Sequence, residues 1–138
     1  CIVEDNVLIK TNGHGIRMYG SGHKVRNNTI KNPSLNGITL CFGLGEGKQA
    51  STLRIATTKC VILDNVIEDA GENGIFLGEG KGTDYSNHKN KETWNTGYIQ
   101  NIPPSGNYIT NNSIMNSKLE AIELYGTTNN RIEDNEYN

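Results

Sequence analysis

Residues 25–40 have the sequence VRNNTIKNPSLNGITL. The same sixteen-residue pattern occurs at three other places in the chain, and no complete copy has an internal gap. One aliphatic residue stands three positions before an Asn and another two positions after it, and a Gly-Ile pair begins nine residues after the Asn. The other complete copies are VEDNVLIKTNGHGIRM at 3–18, ILDNVIEDAGENGIFL at 62–77 and ITNNSIMNSKLEAIEL at 109–124, where Ala replaces the Gly. A partial copy, IEDNEY, occupies 132–137. Such a repeat indicates a solenoid in which each unit packs on the next.

The spacing within the repeat predicts short strands. Aliphatic residues two apart point to the same side of a strand, so each copy supplies inward residues around the Asn and after the Gly. The break in alternation at the Asn requires a turn, and Asn tolerates the left-handed conformation of such a turn. The distance from Asn6 to Asn28 is 22 residues, which fits three short strands and three turns. We therefore predict an all-β chain, a right-handed parallel β-helix of about five coils forming a single domain over 1–138.

The repeat asparagines should lie above one another in the stack and bond through their amides as a ladder. They are Asn6, Asn28, Asn65, Asn112 and Asn135. The residue before each of them alternates between acid and amide, in the order Asp5, Asn27, Asp64, Asn111 and Asp134. We interpret this second column as turn positions in which amides separate like charges. It presents too few oxygen ligands for calcium.

Two copies are stretched, because Asn28 to Asn65 is 37 residues and Asn65 to Asn112 is 47. The Asn-to-Gly spacing stays at nine, so the insertions fall after the Gly-Ile strand, at about 43–59 and 79–105. Both insertions should therefore lie at one corner of adjacent coils. Loops on a rigid scaffold are where binding sites concentrate, although long turns that merely decorate the solenoid are the alternative.

The three cysteines are expected to be free thiols. Cys1 and Cys60 take equivalent positions two coils apart, with His23 between them, so their separation is about 9.6 Å. A disulfide requires α-carbons within about 7 Å. Cys41 belongs to a different strand, so the stack must rely on its core and its backbone ladders.

Composition excludes several classes of partner. The chain has 13 basic and 15 acidic residues and a net charge of −2, which argues against nucleic-acid binding. No apolar run is long enough to span a bilayer, and no membrane partner is expected. The chain starts at Cys1 and stops within a repeat at Asn138, so we expect it to be a fragment of a longer β-helix or a matured product of a longer chain.

The outward positions of the Gly-Ile strands form a candidate binding face. One column is Arg17, Thr39, Phe76 and Glu123, and the next is Tyr19, Cys41, Gly78 and Tyr125. Because guanidinium groups bind carboxylates and aromatic rings pack on sugar faces, we expect an acidic polysaccharide to be bound by Arg17, Tyr19, Phe76, Glu123 and Tyr125. The second insertion adds Trp94, together with Tyr85, His88, Lys89, Lys91 and Tyr98. For each of these residues, the alternative is an ordinary solvated side chain.

His14 precedes a repeat Gly, at the position that Asn36, Asn73 and Glu120 occupy in the other copies. A turn residue is its expected role, and a general base is the alternative. The glycine-rich segments at 43–48 and 78–81 lack the spacing and the hydroxyl of a phosphate-binding loop. No metal site and no cofactor are expected in this chain.

The run GIRMYGSGHKVRNN at 15–28 resembles the chondroitinase B and alginate lyase family of polysaccharide lyases. The resemblance lies in the Gly-initiated Ile-Arg strand, the Gly-Ser-x-His-Lys turn and the Asn-Asn pair. In that family a Lys and Arg pair abstracts the C5 proton of a uronic acid, while calcium neutralises its carboxylate. The resemblance implies that these groups lie in coils preceding the matched segment, so that calcium belongs to the full protein. It places Arg17 and Tyr19 beside the substrate groove.

Two functions stay open. The first is part of a lyase that cleaves a uronate-containing polysaccharide by β-elimination, in an extracellular or periplasmic bacterial protein. The second is a non-catalytic β-helical stalk, adhesin or phage tail-fibre or tailspike segment, at a virion surface and assembled as a homotrimer. Epimerases, hydrolases and fructotransferases on the same fold lie between the two, and whether this chain is itself an enzyme is left open.

Overall fold

The computed structural model describes residues 1–41, 43–44, 54–55, 57–78, 104–125 and 127–138. Short strands joined by turns form three parallel sheets of five, five and four strands, in which each strand bonds to the equivalent strand of the next coil. The chain is therefore the all-β parallel β-helix that the repeat predicts. Right-handed winding is the sense that connections between parallel strands adopt. The described part of the chain holds no helix long and apolar enough to cross a bilayer.

Each complete repeat contributes one strand to each sheet, and the partial fifth copy contributes to the first two. The first sheet stacks the strands that precede the repeat asparagines, in the order Ile2–Glu4, Lys24–Arg26, Val61–Leu63, Tyr108–Thr110 and Arg131–Glu133. The second sheet stacks the strands that follow them, in the order Val7–Ile9, Thr29–Lys31, Val66–Glu68, Ser113–Met115 and Glu136–Tyr137. The third sheet stacks the Gly-Ile strands, in the order Ile16–Met18, Ile38–Leu40, Ile75–Gly78 and Ile122–Tyr125.

The register places like repeat positions together and builds one core along the axis of the stack. Val25 pairs with Val3 and Ile62 in the first sheet, and Ile38 pairs with Ile16 in the third. The residues at the centre of the core, each at most 1% exposed, are Val25, Ile30, Ile38, Leu40, Ile62, Ile67, Ile75, Leu77, Ile109 and Ile114. Full burial of each such side chain stabilises the fold by about 1.5–3 kcal/mol.

The predicted asparagine ladder is present. The Oδ1 of Asn65 accepts bonds from the backbone N–H and the Nδ2 of Asn28, both at 3.0 Å. Its own Nδ2 donates to the Oδ1 of Asn112 at 2.9 Å. The same bonds extend the ladder from Asn6 to Asn28 and from Asn112 to Asn135. Because the three central asparagines are buried, their amides must be satisfied within the stack.

The left-handed turn residue is the one before each ladder asparagine, and the expectation that the ladder asparagine itself takes this conformation is wrong. The φ angles lie between 54° and 59° at Asp5, Asn27, Asp64, Asn111 and Asp134. Asp and Asn tolerate this region because their short side chains bond locally. The Nδ2 of Asn27 donates to the Oδ1 of Asp5 at 2.5 Å, so the amide does separate carboxylates as interpreted.

The glycine that precedes each of the first three third-sheet strands is required by the next coil. A Cβ at Gly37 would lie 2.6 Å from the carbonyl oxygen of Gly74 and 2.6 Å from the Cγ2 of Ile67. At Gly15 a Cβ would meet the carbonyl oxygen of Gly37 in the same way. The fourth copy carries Ala121, beside the last of the described third-sheet strands. The repeat glycine is therefore a packing requirement between coils.

Both stretched copies have returned to the common register at a parallel bridge between Thr58 and Ser105. The first stretch contains a short antiparallel pair, Gly43–Leu44 with Arg54–Ile55. Most of the second stretch, residues 79–103, lies outside the described residues. The extra residues of both copies enter between a third-sheet strand and the next first-sheet strand.

The three cysteines are free thiols, as the spacing predicts. Cys1, His23 and Cys60 stack in consecutive coils, because the strands that follow them pair in register. The same column continues as Asn107 and Asn130, where the backbone N–H and the Nδ2 of Asn107 donate to the Oδ1 of Asn130, both at 3.1 Å. The sequence pattern does not predict this second ladder, because only the last two positions of the column are asparagines.

Replacing Asn65 with Leu should destabilise the stack far more than replacing Asn6. Asn65→Leu removes the acceptor of the Asn28 backbone N–H and the donor to the Val25 carbonyl oxygen, both in buried bonds. Each unsatisfied buried partner costs about 1–3 kcal/mol, so the free energy of unfolding should fall by roughly 2–6 kcal/mol. Urea unfolding monitored by circular dichroism measures this loss.

Asn6→Leu is the matched control. The Oδ1 of Asn28 still accepts a bond from the backbone N–H of residue 6 at 3.1 Å, so no buried partner loses its last bond. The loss should stay below about 1 kcal/mol. Equally small losses for Asn65→Leu and Asn6→Leu would contradict a buried ladder.

Candidate functional site

The outward side of the third sheet brings together most of the predicted site residues. Ile16 and Met18 pack on the core, so Arg17 between them points outward. Its partner on the next strand is Thr39, and the register continues to Phe76 and Glu123. We define the third-sheet face as this column together with the positions that follow two residues later, namely Arg17, Thr39, Phe76, Glu123, Tyr19, Cys41, Gly78 and Tyr125.

Residues of the third-sheet face differ in exposure. Arg17 is exposed, and Tyr19 and Tyr125 keep 45% and 48% of their surface exposed. Phe76 lies on the same outward side but is only 5% exposed. Its ring lies against Gly78, where an added Cβ would come within 2.7 Å of the ring. The expectation of an exposed ring at position 76 is therefore wrong, while Arg17 and the two tyrosines are open to a ligand.

The candidate residues of the second insertion lie outside the described residues, and their part in a site stays a prediction. They are Tyr85, His88, Lys89, Lys91, Trp94 and Tyr98.

A chain of hydrogen bonds runs along one edge of the third-sheet face. The Oγ1 of Thr39 accepts a bond from the Nδ2 of Asn36 at 3.1 Å and lies 3.0 Å from the Nδ1 of His14. The Oδ1 of Asn36 accepts bonds from the backbone N–H and the Nδ2 of Asn73, at 2.9 and 3.2 Å. The Nδ2 of Asn73 also donates to the Oε2 of Glu123 at 2.8 Å. The bonds link side chains of four successive coils.

His14 occupies the turn position expected from the sequence, and its side chain also joins this network. Gly15 donates its backbone N–H to the carbonyl oxygen of Asn36 at 3.0 Å, and Gly37 bonds to Asn73 in the same way. His14, Asn36 and Asn73 are therefore equivalent residues of successive coils. The sequence signal for a special role was present, because an imidazole replaces an amide in this column, but the contact with Thr39 required the structure.

The hydrogen bonds around Thr39 favour one tautomer of His14. Asn36 donates to the Thr39 hydroxyl oxygen, and among the described residues His14 is the acceptor available to the hydroxyl hydrogen. Nδ1 is then the acceptor, and the ring proton lies on Nε2. His14 therefore presents a donor at Nε2, and the alternative of a general base acting through this nitrogen is disfavoured.

The electrostatic surroundings keep the imidazole neutral. Burial lowers the pKa of His14, and the positive charge of Arg17 lowers it further, while the negative charge of Glu72 acts in the opposite sense. Because the ordinary pKa of His is about 6.5, His14 is uncharged at neutral pH. Its ring is a hydrogen-bond donor beside the fixed positive charge of Arg17.

Cys41 lies beside Arg17 on the third-sheet face as a buried thiol. Burial raises its pKa, and this effect exceeds the lowering by the charge of Arg17 and by the hydrogen bond from its side chain. The Sγ atom lies 3.7 Å from the carbonyl oxygen of Met18. A thiol of this kind is protonated at neutral pH, so Cys41 is not an activated nucleophile.

The part of the chain that the structure describes contains no group of three His, Cys, Asp or Glu side chains that could hold a metal ion. The calcium implied by the family resemblance requires several oxygen ligands, and these residues do not supply them. The side-chain donors that the third-sheet face and its edge present are chiefly Arg17 and His14.

Comparison of the chain with protein-family models finds no match, and comparison with curated proteins finds none either. The chemistry of the third-sheet face is therefore the basis for assigning a function.

Replacing Arg17 with Ala should raise the pKa of His14, because a neighbouring positive charge is removed. Glu72→Gln should lower it, because a negative charge is removed. An NMR titration of the His14 imidazole measures both shifts. Arg26→Ala serves as the control, since Arg26 lies on the first sheet in an ion pair with Glu4. If the pKa of His14 is the same in Arg17→Ala as in the wild type, the placement of the two side chains is contradicted.

Proposed function

We propose that the chain is part of a polysaccharide-active β-helix protein, a lyase that cleaves a uronate-containing polysaccharide by β-elimination, and that the third-sheet face binds the polymer. The observation that carries the proposal is the exposed Arg17, which stands between Tyr19 and the neutral His14 on a strand whose other side is buried core. A guanidinium group binds a carboxylate through two parallel hydrogen bonds. A uronate polymer presents such carboxylates along its length.

The exposed tyrosines suit a polymer that lies along the stack. Tyr19 and Tyr125 belong to the first and fourth coils, and three steps of about 4.8 Å place them roughly 14 Å apart. Each ring offers an apolar face on which a sugar ring packs. The carboxylate of Glu123, half-buried in the same coil as Tyr125, accepts hydrogen bonds of the kind that a sugar hydroxyl donates. The proposed substrate contacts are therefore Arg17, Glu123 and the two tyrosines.

β-Elimination makes a specific demand on such a face. A base removes the C5 proton of the uronate, the electron pair forms the C4–C5 double bond, and the C4–O bond breaks as the leaving oxygen gains a proton. Negative charge develops on the C5 carboxylate and requires a positioned cation. In the family that 15–28 resembles, calcium neutralises this carboxylate, and Arg17 beside the groove adds a further positive charge. His14 is not the base through its Nε2 in the tautomer that its contact with Thr39 favours. The resemblance of 15–28 to the chondroitinase B and alginate lyase family is consistent with a base in preceding coils.

A second candidate is a non-catalytic β-helical segment of a stalk, an adhesin or a tail fibre. Apolar side chains on the outside of the first coil favour it, because Ile2, Val7 and Ile9 are 55%, 67% and 58% exposed. A homotrimer that packs through its outer faces would cover such side chains. A trimer in analytical ultracentrifugation, without any unsaturated sugar product, would support this candidate. A monomer of the full-length protein that releases unsaturated sugars would remove it.

Arg17→Ala should weaken the binding of oligouronates about 10- to 100-fold, because hydrogen bonds to charged groups contribute about 1.5–3 kcal/mol. Isothermal titration calorimetry with alginate, pectin and chondroitin oligomers measures the affinity. Ultraviolet absorbance of the full-length protein's products detects the new double bond.

Arg26→Ala is the matched control for the loss of a positive charge. Arg26 is on the first sheet and pairs with Glu4 at the surface, where an ion pair contributes at most about 1 kcal/mol to stability. Oligouronate affinity should not change in Arg26→Ala. Wild-type protein that binds none of the three oligomers, or an equal loss in the two arginine variants, would overturn the proposal.

A further inference from the structure

We propose that His14 and Arg17 form a two-donor subsite for one carboxylate of the polymer, and that His14 takes up a proton when this carboxylate binds. The inference rests on the proposed function, because it assigns a uronate carboxylate to a defined place on the third-sheet face. It adds a second donor to Arg17 and makes the binding of an acidic sugar dependent on pH.

The Nδ1 side of the His14 imidazole is held by a hydrogen bond to Thr39. Its Nδ1 lies 3.0 Å from the Oγ1 of Thr39, and Thr39 is fixed by the bond from Asn36. Asn36 is fixed in turn by Asn73 through two bonds to its Oδ1. Thr39, Asn36 and Asn73 are each no more than 4% exposed, so this support is a buried, bonded chain. The ring of His14 is therefore oriented before any ligand arrives.

The other ring nitrogen is available. His14 is only half-buried, and none of the described residues bonds to its Nε2, which carries the ring proton in the assigned tautomer. Arg17 is exposed and pairs in register with Thr39, the same residue that supports His14. Both donors therefore belong to residues next to Thr39, and the charge of Arg17 acts on His14. Charge-assisted bonds from such donors to a carboxylate are about twice as strong as neutral ones.

The network accommodates both charge states of the ring. When His14 is neutral, the Thr39 hydroxyl donates to Nδ1. When His14 is protonated, Nδ1 becomes a donor and the Thr39 hydroxyl oxygen accepts from it, while it still accepts from Asn36, since a hydroxyl oxygen has two lone pairs. Rotation of one hydroxyl hydrogen completes the change. The support therefore does not oppose proton uptake.

Charges around His14 set the direction of the pH effect. Burial and the charge of Arg17 hold the pKa of His14 below its ordinary value, and the only opposing charge resolved among the described residues is that of Glu72. The Cys41 thiol, near Arg17, has a raised pKa and stays neutral. A bound carboxylate adds a negative charge beside Nε2 and raises the pKa of His14. Affinity should then rise as the pH falls through the interval between the bound and the free pKa, and level off on either side.

The experiment is a calorimetric titration of the whole chain with a defined oligouronate at several pH values between 8 and 5. Each titration is repeated in two buffers of different ionisation enthalpy, so that proton uptake is measured directly. The wild-type affinity should rise about tenfold for each unit by which the ligand raises the pKa of His14, with net uptake of protons near the midpoint. An oligomer with methyl-esterified carboxyl groups should bind weakly and without this pH dependence. An oligomer of uncharged sugars that carries sulfate groups tests a different anion. It should not show this pH dependence.

His14→Asn is the decisive variant, because the repeat itself places Asn at this position in the next two coils, Asn36 and Asn73. The turn is therefore preserved. This variant should bind the oligouronate more weakly than wild type at pH 5, with an affinity that varies less than about twofold over the pH range. Lys24→Ala, outside the face on the first sheet, should keep the wild-type pH dependence.

Different results would overturn the His14–Arg17 subsite and the proposed function. Wild-type protein that binds the oligouronate with the same pH dependence as His14→Asn, and without proton uptake, would overturn the subsite and leave the proposed function standing. Wild-type protein that binds no oligouronate at any pH would overturn both. A sulfated oligomer that reproduces the full pH effect would overturn the assignment to a carboxylate.

Discussion

One asparagine in each coil, buried in the three central coils, fixes how that coil lies on the next. Its amide oxygen accepts two hydrogen bonds from the preceding coil, and its amide nitrogen donates to the following asparagine, as seen for Asn65 between Asn28 and Asn112. Aliphatic core side chains offer an amide no hydrogen-bond partner. An asparagine that was not aligned with those of the neighbouring coils would therefore leave unsatisfied groups, at a cost of about 1–3 kcal/mol each. The ladder therefore sets the register, and the aliphatic columns follow it.

The candidate site is built with the same chemistry as the scaffold. Asn36 and Asn73 repeat the amide-to-amide bond at the start of the third-sheet strands, and the series is completed by His14 at one end and Glu123 at the other. At one end the ionisable side chain of His14 stands in place of an asparagine, and at the other end Glu123 accepts a hydrogen bond from Asn73. His14, Asn36 and Asn73 lie in the short turns that lead directly into the third-sheet strands, so hydrogen bonds between coils hold these side chains in place. This arrangement is what suits the third-sheet face to bind a regular polymer.

The repeat predicts the fold and most of the third-sheet face because spacing determines which way a side chain points. A constant nine residues from Asn to Gly places Arg17, Thr39 and Phe76 on one outward column. Spacing does not determine how much of an outward side chain remains exposed, and Phe76 is buried although it points outward. It also does not identify hydrogen-bond partners. The contact between His14 and Thr39, and the left-handed conformation at Asp64 in place of Asn65, depend on the path of the backbone between strands.

Hydrogen exchange measured by NMR tests the ladder most directly. The backbone N–H groups of Asn28, Asn65 and Asn112 each donate to the side-chain Oδ1 of the next asparagine, at 3.0, 3.0 and 2.9 Å. They should exchange only through opening of the whole stack, as slowly as the amides of the core strands. Exchange of these three amides as fast as that of solvent-exposed turn residues would mean that buried asparagines do not join the coils. The register assigned to the third-sheet face would then be wrong as well.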